Sequence, residues 1–194
     1  MQRVLTVLGG ALLALTACSP APSSSATETL PAGLPESEDS GSPRFRVDPF
    51  WARELPNDWI LGQVSGIDVD DQDHVWVLHR PQTLDERQRG EEGMCCVPAP
   101  PVIELDPNGN VVGAWGGPGV GYDWPESEHG IHADDTGHVW IGGNSARDAH
   151  ILKFERDGTF LLQIGEPGES RGSNDTENLG RPAGIRVDPA TNEV

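Results

Sequence analysis

The sequence predicts an all-β protein, a β-propeller built of four-stranded blades. Three observations carry this. Gly66-Ile67-Asp68-Val69-Asp70-Asp71-Gln72-Asp73-His74-Val75-Trp76-Val77 returns as Gly130-Ile131-His132-Ala133-Asp134-Asp135-Thr136-Gly137-His138-Val139-Trp140-Ile141, and begins again at Gly184-Ile185-Arg186-Val187-Asp188. A second motif, Val102-Ile103-Glu104-Leu105-Asp106-Pro107-Asn108-Gly109, returns as Ile151-Leu152-Lys153-Phe154-Glu155-Arg156-Asp157-Gly158 at an offset of 49 residues. Beyond an N-terminal apolar run no stretch holds a helical period, and 24 Gly and 17 Pro punctuate the chain. Four-strand units at this spacing are the signature of propeller blades.

Each element follows from a period of two between turn signals. Strands are expected near 64–70, 74–79, 101–106, 111–115, 129–134, 138–142, 150–155 and 159–164. Asp106-Pro107-Asn108-Gly109 and Arg156-Asp157-Gly158 read as hairpin turns, because Asn and Gly tolerate a positive φ. Trp76 and Trp140 recur in register and are expected to pack between blades. A β-sandwich is the competing all-β reading, but it leaves the in-register repeat of both motifs without a cause. Residues 44–194 supply about three blades, whereas a propeller closes with about 4–8. The chain stops inside an expected hairpin at Thr191-Asn192-Glu193-Val194, so a longer protein is expected.

Two segments precede that domain. Residues 1–17 join Arg3 to the apolar run Val4–Ala17, too short for the ~20 residues of a membrane span, and read as an export signal. The run ends Leu15-Thr16-Ala17-Cys18, which resembles a bacterial lipobox, with Cys18 as the lipidated residue; a plain signal peptide is the alternative. Residues 18–43 form a tether, since 19–43 hold seven Ser, five Pro and no Lys or Arg. The expectation is a domain exported to the cell envelope, anchored to the membrane through Cys18 and facing the periplasm or exterior. Cys95 and Cys96 lack a C-x-x-C spacing. They suit a structural role, either as a vicinal disulfide or bonded to partners beyond residue 194.

Charge excludes some partners. Thirty-one acidic against 13 basic residues give a net charge of −18. That argues against nucleic acid and against docking a protein face on anionic lipid.

The Gly-Ile-x-Val-Asp…His-Val-Trp-Val unit resembles the NHL repeat of six-bladed propellers. Within that group Gln63-Val64-Ser65-Gly66-Ile67, Leu78-His79-Arg80, His129-Gly130-Ile131 and Arg181-Pro182-Ala183-Gly184-Ile185 are similar to segments of the peptidyl-α-hydroxyglycine α-amidating lyase family. The resemblance implies about three of six blades here. It also implies a channel-mouth zinc held by three His and a deeper calcium held partly by backbone carbonyls. The implied reaction cleaves a peptidyl-α-hydroxyglycine to a peptide amide and glyoxylate. By that resemblance His129 is a zinc ligand, Arg80 an active-site residue, and Ile67 and Ile131 the calcium carbonyls. The remaining ligands would fall beyond Val194. Pro81-Gln82 after Arg80 departs from the family pattern.

The residues themselves single out His129. Ser65, His129 and Ala183 precede the three Gly-Ile pairs and are expected at equivalent channel-mouth positions. The other candidates read as structural. His74 and His138 repeat beside hairpin turns, and His132 lies on the face opposite His129. His150 is expected to face solvent. Asp70-Asp71 and Asp134-Asp135 read as turn residues, and Gly117-Pro118-Gly119-Val120-Gly121 as a connecting loop without the Lys or helix of a phosphate loop. Two functions remain: a zinc-dependent lyase acting on a small-molecule or peptide substrate, or a non-catalytic propeller that binds a ligand or protein. Oligomeric state is not legible.

Overall fold

Strands form where the alternation predicts them. The computed structural model describes residues 45–89, 96–168 and 170–194. The chain divides after Phe45, and the architecture that follows is that of Arg46–Val194. The expected export signal, Cys18, the tether through 43 and Cys95 lie outside the described residues.

The described residues are all-β, with one short 3-10 turn at Pro81–Thr83. None of their helices is long and apolar enough to cross a membrane. β1 (Trp59–Ile60) and β4 (Val97–Pro98) make a short parallel pair. β2 (Gln63–Val69), β3 (Val75–Arg80), β5 (Val102–Leu105) and β6 (Val111–Trp115) form one four-stranded antiparallel meander. β7 (Glu128–Ala133), β8 (His138–Gly143), β9 (Ile151–Glu155) and β10 (Phe160–Ile164) form a second with the same strand order. All eight long strands lie within a residue or two of the sequence expectation. The third copy of the first motif, from Gly184, forms no strand. It keeps its turn, in which Asp188 N donates to Glu193 O (2.8 Å), but no second strand pairs with it among the described residues.

The sheets pack on each other through apolar side chains that alternation sorts by face. Trp76, Leu78 and Val102 of the first sheet meet Ile131, Ala133, Val139, Ile141, Leu152 and Phe154 of the second. Each such Val, Leu, Ile or Phe side chain, fully buried, stabilises by about 1.5–3 kcal/mol. The far face of the first sheet carries Val77, Ile103 and Leu105, partly covered by Trp59 and Leu61. Ile67 and Val69 on β2 stay exposed. The far face of the second sheet carries Trp140 and Ile151, covered by Leu179, Ile185 and Val187. Trp76 therefore packs between repeats as expected, and Trp140 packs against the third.

A meander has two unlike ends. Hairpin turns at 70–74, 106–110, 134–138 and 155–159 lie at one end. The segments 81–101, 116–127 and 144–150 connect strands at the other, the open end.

Candidate functional site

At the open end Ser65, His129 and Ala183 come together, as their equivalence predicts. With Ile67, Ile131 and Arg186 they line one open depression of about 500 Å³. Gly66 and Gly130 allow this approach. A Cβ on Gly66 would lie 2.8 Å from His129 O, and one on Gly130 2.9 Å from Ala183 O. The glycine of each Gly-Ile pair thus lets successive first strands touch backbone to backbone. That requirement was missed in the sequence, although the glycine's recurrence signals it.

His129 is half-buried, and its Nδ1 lies 3.1 Å from the Ala183 carbonyl. A carbonyl only accepts, so Nδ1 carries the proton and Nε2 holds the lone pair. Nε2 has no hydrogen-bond partner among the described residues. An imidazole set by a backbone carbonyl on one nitrogen and open on the other is the usual form of a metal-ligating histidine. His129 is the one imidazole, carboxylate or thiolate among the side chains lining the depression. The residues fit one ligand of a three-histidine site. Ile67 is well exposed and Ile131 buried, so the two implied calcium carbonyls belong to residues of unlike burial.

Arg80 ends β3. Its Nε donates to Glu128 O (2.7 Å) and its Nη2 to Asn144 Oδ1 (3.2 Å). It bridges the two sheets and grips the residue before His129, but it does not line the depression.

The repeats satisfy one backbone donor by different means. In the first, Gly62 N donates to His79 Nδ1 (3.1 Å), and His79 Nε2 donates to Pro100 O (2.9 Å). The ring is fully buried, and burial holds its pKa below the ordinary histidine value. In the second, Gly143 stands where His79 stands in the first, and the Asp148 carboxylate takes the space. Asp148 is 1% exposed and accepts from Glu126 N (2.8 Å), Ser127 N (3.1 Å) and Ser145 N (2.8 Å). His150 is a correction. It is 1% exposed and does not face solvent, because the 116–127 segment folds over it and Asp123 O accepts from its Nε2 at 2.6 Å. His79, Asp148 and His150 escaped the sequence reading. Their signal was departure from the repeat, with Gly143 in place of His79 and His150 in place of Pro101.

Position two after each glycine forms a polar ladder. Asp68 Oδ2 lies 2.6 Å from His132 Nδ1 and accepts from Ala133 N (3.0 Å), and Arg186 Nη1 lies 3.8 Å from the same oxygen. His132 is thereby turned to Asp68, away from any ligand shared with His129.

The hairpin end is a stabilising arrangement. Asp70 Oδ1 accepts from Gln72 N and His74 N, and Trp76 Nε1 donates to Oδ2 (2.9 Å). Asp134 does the same with Thr136 N, His138 N and Trp140 Nε1 (2.8 Å). The turn reading of both aspartates fits this geometry. Burial alone would raise the Asp70 and Asp134 pKa values, but these hydrogen bonds, from the indoles first, hold both below the usual carboxylate range. Ligand atoms of Asp70, His74 and Glu104 lie within 4.8 Å of one another, a spacing that could hold a metal. The guanidinium of Arg156 already meets both carboxylates there and lies over the Trp76 ring, 5.0 Å from its centroid. The guanidinium thus offsets one of the two carboxylate charges there. Cys96 is disulfide-bonded.

No protein-family model matches the chain, and no curated protein matches it in sequence.

Proposed function

We propose that the chain is part of an exported, lipid-anchored NHL-type propeller whose open end carries a zinc-dependent amidating-lyase-like site, with His129 as one ligand. The observation that carries this reading is the meeting of three equivalent positions, Ser65, His129 and Ala183, in one depression with His129 Nε2 unpartnered. The propeller part has a further support. Second-sheet positions 131, 133, 139, 141, 152 and 154, which receive the first sheet, are the repeat equivalents of 67, 69, 75, 77, 103 and 105 on the first sheet's far face. Each sheet thus presents one face of each kind. Such head-to-tail stacking closes into a ring when its rotation allows.

In this reading zinc supplies a Lewis acid at the hydroxyl of a peptidyl-α-hydroxyglycine. His129 would hold its share of the metal through Nε2, with Ala183 O fixing the ring. Arg80 holds the backbone before His129 through Glu128 O, and so would act on the site by positioning that residue. Two more imidazoles would be required to complete the site. Export and anchorage rest on Cys18, and calcium on the carbonyls of Ile67 and Ile131.

The test is glyoxylate release from a peptidyl-α-hydroxyglycine by the complete protein. Zinc-dependent release that Arg80→Ala lowers at least about tenfold supports the lyase. No release favours the second reading, a non-catalytic propeller, for which the single imidazole of the depression speaks.

A further inference from the structure

The open end holds a second recess, of about 290 Å³, between the 118–126 segment, the 147–150 segment and Pro167. We infer that it binds a small organic cation with N–H donors, an amine or guanidinium, and that His150 and Asp148 select it.

Three observations converge. The His150 ring is 1% exposed and Nε2–H donates to Asp123 O, so Nδ1 presents a lone pair. That atom is buried and has no hydrogen-bond partner. An unmet buried acceptor costs about 1–3 kcal/mol, which a donor brought by a ligand or its bridging water would offset. Asp148 is a buried carboxylate fed by three backbone amides and faced by no cation among the described residues. The rim carboxylate of Asp123 adds negative charge, and Arg147, the one basic side chain lining the recess, is already paired with Glu126 (3.3 Å). Tyr122 and Trp124 supply aromatic wall, which favours a cation over a neutral donor.

Other ligand classes fit less well. An anion would meet a lone pair and carboxylates. A metal ion would want three converging ligand atoms, and among the described residues that convergence occurs at Asp70, His74 and Glu104, not here.

The experiment is calorimetric titration of the full chain with arginine amide and, as a neutral isostere, citrulline amide. Saturable binding of arginine amide, at least about tenfold tighter than citrulline amide, is expected, the size of one charge-assisted contact. His150→Phe keeps the ring and removes both nitrogens, and it should abolish that binding with the near-ultraviolet circular dichroism retained. Should that variant not fold, the wild-type protein with 15N-labelled histidine decides, because the His150 Nδ1 resonance must shift as arginine amide saturates. Equal binding of the two amides, undiminished binding by a folded His150→Phe, or an unmoved Nδ1 resonance would overturn the proposal. A resident water as the sole partner of Nδ1, with no titratable ligand, would overturn it as well.

Discussion

The two ends of the paired sheets differ in how faithfully they repeat. At the hairpin end Asp70 and Asp134 make the same bonds to the same positions, two backbone amides and an indole each, within 0.1 Å of one another. At the open end the glycine approach is copied but the side-chain bonds are not. His79 is answered by Gly143 with Asp148 in its space, Arg80 by Asn144, and Pro101 by His150. A turn that must reverse the chain and cap an indole has few solutions, so both repeats use one. An end built of connecting segments is free to vary, and candidate binding groups collect there.

The largest effect expected from this contrast is at the shared turn. Asp70→Ala strands a buried indole N–H and leaves Arg156 with one carboxylate. A loss of about 3–4 kcal/mol in urea denaturation is expected. Asp134→Ala strands the equivalent indole but no guanidinium, and about 2–3 kcal/mol is expected. Equal losses would mean that the Arg156 link between the sheets contributes nothing.

Next come the glycines. Gly66→Ala and Gly130→Ala place a Cβ under 3 Å from a backbone carbonyl oxygen, so the first strands must part, at a cost of about 1–3 kcal/mol. Gly184→Ala meets nothing within 4 Å and should leave the denaturation midpoint of the same chain in place.

A smaller effect separates the ends by pH. His79 has a lowered folded pKa, so the unfolded chain binds the proton more readily. Its contribution is therefore complete above the unfolded value of about 6.5 and is lost progressively as pH falls below it. Denaturation midpoints between about pH 8 and 5 should fall in the wild type and flatten in His79→Gln. An unchanged slope would mean that another group carries the acid sensitivity.

Much of this fold was legible because strand alternation and turn chemistry are local. Val75-Trp76-Val77-Leu78 sorts itself onto two faces, and Asp106-Pro107-Asn108-Gly109 announces a turn. β1 and β4, two residues each, carry too short a pattern to read. His129 was found through the equivalence of repeat positions, which is a statement about three-dimensional place. His150 was misread because its burial depends on Asp123, 27 residues away, folding over it. Arg156 reaches Glu104 from the neighbouring sheet, 52 residues away, and no spacing in the chain announces that.

The contrast between the ends is tested most directly by metal content. The complete protein, its His129→Ala variant at the open end and its His74→Ala variant at the hairpin end are purified alike and assayed for zinc. Zinc retained by wild type and His74→Ala and lost from His129→Ala is the expected result, since the Arg156 guanidinium already meets both carboxylates beside His74 whereas no cation is paired with His129 among the described residues. Equal zinc in wild type and His129→Ala, or zinc lost only with His74, would contradict an open-end metal site.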